Sequence, residues 1–140
     1  MRNIFELSRY DLWWLEDKFN RYEQLDKEIA IRKEELKMQE PDENVGGGKS
    51  NVAGNPIESQ IIKEQSDPYI ITRQHWKRAI EQVYNDCTEE EQQVLQEKFW
   101  SNQNYLSWPE IGERHHISKT TIYDMRYSIL ERFAKEIGYI

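Results

Sequence analysis

Three helix starts are written into the last third of the chain, and together they favour a small three-helix module. Thr88 with Glu91 and Ser107 with Glu110 each form a capping box, in which a hydroxyl and a carboxylate three residues apart satisfy the free N–H groups of a helix start. Pro109 suits the first turn of the second helix. His115-His116-Ile117 follows as a tight turn, and Ser118 caps a third helix. The apolar residues Ile122, Met125, Ile129, Phe133 and Ile137 of this last helix recur at spacings of three and four, which places them on one inward face. Gly112 stands where a crossing helix leaves room only for a small side chain, and Ile117 is placed as an apolar plug beside Ile122. The upstream helix offers Val94, Leu95, Phe99 and Trp100 as supporting core. His116 occupies a position that many such turns give to Gly, which predicts a left-handed residue there.

This pattern is that of a helix-turn-helix, whose last helix lies in the major groove of double-stranded DNA. Its outer residues Lys119, Thr120, Tyr123, Asp124, Arg126 and Tyr127 carry the donors and acceptors used on base edges and phosphates. Trp108, Arg114 and the helix-start residues Ser118 and Thr121 are expected to orient the helix on the backbone. The competing reading makes the same helices an oligomeric scaffold or adaptor, such as a small packaging subunit, whose faces meet protein. Salt separates the two, because phosphate binding weakens steeply with ionic strength and an apolar interface need not.

The formal charge of −7 over 140 residues runs against a generally basic nucleic-acid binder. Its distribution is uneven. Residues 1–45 hold 12 acids and 8 bases, whereas residues 114–135 hold five bases against Asp124 and Glu131. The basic patch is local, so non-specific binding is expected to be weak, with selectivity coming from base or shape readout.

Residues 4–39 contain no Gly or Pro and predict one long helix, or two with a break near Trp13-Trp14. Leu15, Tyr22, Ile29 and Leu36 recur every seven residues and Leu25 adds one position of the other heptad phase, while Lys18 and Arg32 interrupt that second row. The row predicts either a helix packed on its own chain or a dimerisation arm, and a homodimer reading paired half-sites would follow from the second. Residues 41–56 are rich in Gly, Asn and Pro and read as a linker. The GGGKS within it lacks the Gly that a phosphate loop needs five residues before Gly48, where Glu43 stands. Beyond the linker, Asn55-Pro56 starts a short helix over 57–65. Asp67-Pro68 starts a longer one to about residue 86, with Ile71, Trp76, Ile80, Val83 and Tyr84 as expected core. The expected division is an arm over 1–40, a linker over 41–56 and an all-α DNA-binding domain over 57–140.

Nothing in the chain points to catalysis, a cofactor or a metal. His75 sits beside Trp76 on a helix, the adjacent pair His115-His116 falls in a turn, and no paired-Cys or HExxH pattern accompanies them. Cys87 is the lone cysteine and reads as a buried thiol. The longest apolar run, residues 12–15, is too short for a bilayer and the N-terminus has no cleavage-site pattern, so no membrane is expected and the cytoplasm is the expected location.

The order of parts resembles the RinA-type transcription activators of phages infecting Gram-positive bacteria. The resemblance rests on the acidic N-terminal helix, the Glu43-Asn44-Val45-Gly46-Gly47 connector, the central helix, and a terminal module running from Thr88 through His116-Ile117-Ser118 to Arg132, Ala134, Glu136 and Gly138. Gly48-Lys49 makes this connector more Gly-rich and basic than the family pattern. The terminal module alone is also similar to region 4 of sigma factors. The resemblance implies sequence-specific binding near a phage late promoter and activation of packaging and structural genes. An activator must also recruit host RNA polymerase, and the acidic N-terminal arm is the expected surface for it.

Overall fold

The computed structural model describes residues 6–38 and 55–140, in six α-helices and, among these residues, no strand. They are α1 (Arg9–Met38), α2 (Pro56–Ser66), α3 (Pro68–Asp86), α4 (Glu89–Trp100), α5 (Trp108–Arg114) and α6 (Lys119–Glu136). The expected loop features over 39–54, GGGKS included, lie outside the described residues. No described helix is long and apolar enough to cross a membrane.

Local chemistry sets most of the helix starts. Thr88 and Ser107 make complete capping boxes with Glu91 and Glu110, and Asn55 and Ser118 accept from Ile57 N and Thr121 N. The hydrogen bonds at Ser107 hold the Glu110 carboxyl below its ordinary pKa. α1 begins later than expected because Ser8 and Asp11 form a reciprocal cap: Ser8 N donates to Asp11 Oδ2 at 2.7 Å and Asp11 N to Ser8 Oγ at 3.2 Å. The helix then runs through Trp13-Trp14 without a break.

The chain divides into two compact units, one of Met1–Glu23 with Trp76–Ile140 and the other Gln24–His75. This differs from the expected arm and terminal domain. The first part of α1 carries core residues of the terminal module, so the unit needs it.

In the first unit Phe19 is fully buried, with its ring centroid 5.3 Å from that of Phe99 and 5.1 Å from that of Phe133. Trp100, half-buried, donates its indole N–H to Phe19 O at 2.8 Å. Leu15, Val94, Leu95, Ile111, Ile122, Ile129 and Phe133 complete this core, while Met125, Ile117 and Ile137 are only half-buried. Ile117 therefore does not plug the core as fully as its position suggested. The turn is closed by the backbone: Ile117 N donates to Gly112 O at 2.8 Å and His116 N to Glu113 O at 3.2 Å. That is the hydrogen-bond pair of a Schellman ending, and His116 supplies its left-handed residue at φ 58°. α6 closes in the same way, with Gly138 at φ 74° and Tyr139 N donating to Ala134 O at 2.8 Å. Tyr139 then stacks on Trp14 and donates its hydroxyl to Asp11 Oδ1 at 2.6 Å, which holds the Asp11 carboxyl below its ordinary pKa and raises that of Tyr139.

In the second unit Ile29, Leu36 and Ile70 form the buried cluster. Ile70 takes the place expected for Ile71, which is exposed. Asp67 explains the shift: its carboxylate caps α3 by accepting from Ile70 N at 3.2 Å and receives Arg32 Nη2 at 2.8 Å and Nε at 3.1 Å, fixing the first turn against α1. Arg32 is the main cause of the lowered Asp67 pKa.

Gly112→Ala tests the turn. An added Cβ would meet Ile117 O at 2.9 Å and Ile122 Cβ at 3.2 Å. In an open helix this change stabilises by about 0.5–1 kcal/mol. Here overpacking outweighs that gain, and chemical denaturation should show a net loss of about 1–2 kcal/mol. A second prediction concerns Asp67→Asn. Because the folded pKa of Asp67 lies below its unfolded value, its stabilisation is complete above about pH 4 and is lost as pH falls through the folded value. The variant should melt below the wild type at neutral pH, and the gap should close in acid.

Candidate functional site

α5, the turn and α6 present one outward surface in the first unit, and its geometry sorts the expected site residues into three groups. Lys119, Thr120, Tyr123 and Asp124 are all exposed on α6: Thr120 and Asp124 fall opposite the buried row of Ile122, Ile129 and Phe133, while Lys119 in the first turn and Tyr123 lie toward its flank. Ser118 and Thr121 are also exposed but serve the cap: Ser118 Oγ accepts from Thr121 N at 3.2 Å and donates to Thr121 Oγ1 at 2.9 Å. Tyr127 is half-buried at the edge, where its hydroxyl accepts from Leu7 N at 3.0 Å.

Arg114 is exposed but pairs with Glu97, whose other oxygen lies 3.0 Å from His115 Nε2. Glu97 thus holds both residues that end α5, and Arg114 remains at the rim of the surface.

Trp108 and Arg126 are turned inward. Trp108 is buried, its indole N–H donating to Glu16 Oε2 at 3.1 Å, and its ring packs edge-on against Phe99 at 5.7 Å. Arg126 Nε donates to Glu16 Oε1 at 2.7 Å, and its Nη2 contacts the same oxygen. Both side chains of this pair keep about 15% exposure or less, at 15% for Arg126 and 14% for Glu16. Trp108 and Arg126, expected on the outward surface, are instead both engaged by Glu16. The spacing held the signal for Arg126, four residues from Ile122 and three from Ile129, which puts it at the edge of the buried face. Its charge suggested solvent, and the partner that permits burial stands 110 residues away.

The expected oligomerisation row is occupied within the chain. Leu15, Leu25, Ile29 and Leu36 are buried, and Tyr22 is half-buried with its hydroxyl donating to Glu81 at 2.5 Å. Leu15 and Tyr22 pack within the first unit, and Leu25, Ile29 and Leu36 within the second. The two charges that interrupt the row are accommodated in the same way. Lys18 is buried, its ammonium 4.1 Å from the Trp14 ring centroid, 4.8 Å from that of Trp76 and 3.1 Å from Asp17 Oδ2, and Arg32 meets Asp67.

Sequence reasoning missed Glu16, which positions α6 against α1, and Lys98. Burial lowers the Lys98 pKa against the attraction of Glu16. Cys87 is buried as expected, and burial pushes its thiol up to about 11, which keeps it protonated and unreactive at neutral pH. Among the described residues no group of three His, Cys, Asp or Glu side chains is placed to hold a metal ion.

No curated protein and no solved structure matches this chain. A family model described as a protein of unknown function, DUF722, matches residues 14–135, a span that takes in most of α1, all of α2 to α5 and nearly all of α6. The chain belongs to that family.

Proposed function

We propose that the protein is a sequence-specific DNA-binding regulator, of the phage late-gene activator kind implied by its resemblance to the RinA type, and that α5, the turn and α6 act as its helix-turn-helix. The observation that carries this reading is the Gly112–Ile117–Ile122 approach. The helices are locked so closely that a Cβ at Gly112 has no room, and α6 is left with an exposed first half bearing Lys119, Thr120, Tyr123 and Asp124. A rigid helix whose exposed residues are short polar groups, one ring and one base is suited to a major groove. The first turn of α6 carries no acid to repel a phosphate.

The positive charge on this surface is smaller than the sequence count of +3 for residues 114–135, because Glu97 and Glu16 neutralise Arg114 and Arg126. Phosphate attraction alone is therefore weak, and base contacts carry the selectivity. An activator also needs a surface for host RNA polymerase. Tyr10 and Trp13 are exposed on α1, with the Arg9 guanidinium 5.4 and 5.2 Å from their ring centroids, and this Trp-Tyr-Arg set has the composition of interface anchors.

The test begins with selection of a random duplex pool on the full chain, followed by titration of the enriched duplex at several salt concentrations. Lys119→Ala and Tyr123→Ala should each weaken binding by about 1–3 kcal/mol with an unchanged melting temperature. Arg126→Ala should instead lower stability by about 3 kcal/mol, as the loss of one partner from a buried ion pair does. Affinity that ignores salt, or binding untouched by both α6 surface variants, would favour a protein-contacting adaptor.

A further inference from the structure

We infer that Asp124 is a specificity-determining residue that reads the exocyclic amino group of a cytosine in the major groove. The inference rests on the DNA-binding reading of α6 and names the base that one position of the site must contain.

Asp124 is exposed one turn after Thr120 and directly after Tyr123, on the outward side of α6. Its carboxylate has no hydrogen-bond or ion-pair partner among the described residues, and the same is true of the Lys119 ammonium. The other two bases near this surface, Arg114 and Arg126, are held by Glu97 and Glu16. Lys119 and Asp124 are thus the two unpaired charges of the exposed first half of the helix.

A carboxylate placed against DNA is repelled by phosphate and by every acceptor on a base edge. In the major groove guanine presents two acceptors, N7 and O6, and thymine presents the O4 acceptor with a methyl group. Only cytosine N4 and adenine N6 offer hydrogen to an oxygen that can accept but not donate. On adenine the N7 acceptor lies beside N6 and opposes the second carboxylate oxygen, whereas cytosine presents its amino group without that neighbour. Cytosine is therefore the favoured contact, and Lys119 at the start of the same helix is suited to the opposite chemistry, the N7 and O6 acceptors of guanine. The Tyr123 and Thr120 hydroxyls can donate or accept and discriminate less.

Changing Asp124 to Asn supplies one acceptor and one donor, the pair that matches adenine N6 and N7. The experiment is a selection of a random duplex pool on wild type, Asp124→Asn and Asp124→Ala, with circular dichroism confirming that all three fold alike. Wild type should enrich a site in which one position is cytosine, preferred over thymine by roughly 10- to 100-fold in a direct titration. Asp124→Asn should change that position alone to adenine. Asp124→Ala should lose the preference there while binding unrelated duplex more tightly, since a repulsive charge has been removed. If wild type enriches a site and both variants enrich the identical one, the inference fails and the DNA-binding reading stands. If Asp124→Ala gains affinity with its base preferences intact, Asp124 acts only through repulsion and the inference fails again. If wild type enriches no sequence, both fall together.

Discussion

The arrangement of the first unit turns on one carboxylate. Glu16 accepts from the indole N–H of Trp108 with one oxygen and from the guanidinium of Arg126 with the other, so a single residue of α1 holds the start of α5 and the middle of α6. Removing a carboxylate and a guanidinium from water is costly, and the cost is offset only when both find well-directed partners. Here two helices distant in sequence from α1 satisfy it. The orientation of α6, and so the identity of the residues left on its outside, follows from that arrangement together with the Gly112 approach at the turn.

A consequence is that the terminal helices share their compact unit with the first part of α1. Leu7, Leu15 and Phe19 contribute to the same unit as Val94, Ile111 and Phe133, and Trp100 is tied to Phe19 O. The heptad row of α1 is a packing surface for its own chain. The second unit follows the same logic on a smaller scale, where Arg32 and Asp67 join two helices beside the apolar cluster of Ile29, Leu36 and Ile70.

Signals that act within one turn of helix were readable from the sequence. Capping hydroxyls, the carboxylates three residues later, Pro56 at a helix start and Gly112 before the turn depend on neighbours a few residues away, and the helices begin where those residues place them, α1 excepted. The left-handed His116 was legible for the same reason. The helix face that periodicity marks as buried was also legible, but its cover was not, because a row of Leu and Ile looks the same against a second copy as against the chain's own helices. Buried charge was the hardest to read. Lys18, Arg126 and Glu16 each suggest solvent when taken singly, and only the folded chain brings Trp14 and Trp76 over the first and pairs the other two. Ile70 replaced Ile71 because the Asp67 cap sets the rotation of α3, a choice of one residue that apolar pattern alone does not make.

In the proposed complex DNA meets the outside of α6 while Trp108 and Arg126 stay with Glu16. Amide, indole and guanidinium nuclear magnetic resonance signals of the full chain, followed as the enriched duplex is added, test it most directly. Shifts should concentrate at Lys119, Thr120, Tyr123 and Asp124 with smaller ones at Arg114, while the Trp108 indole and Arg126 Nε signals hold their free positions. Large shifts at Trp108 and Arg126 with a silent Lys119 to Asp124 stretch would contradict it, and would place any DNA contact on a different face of the protein.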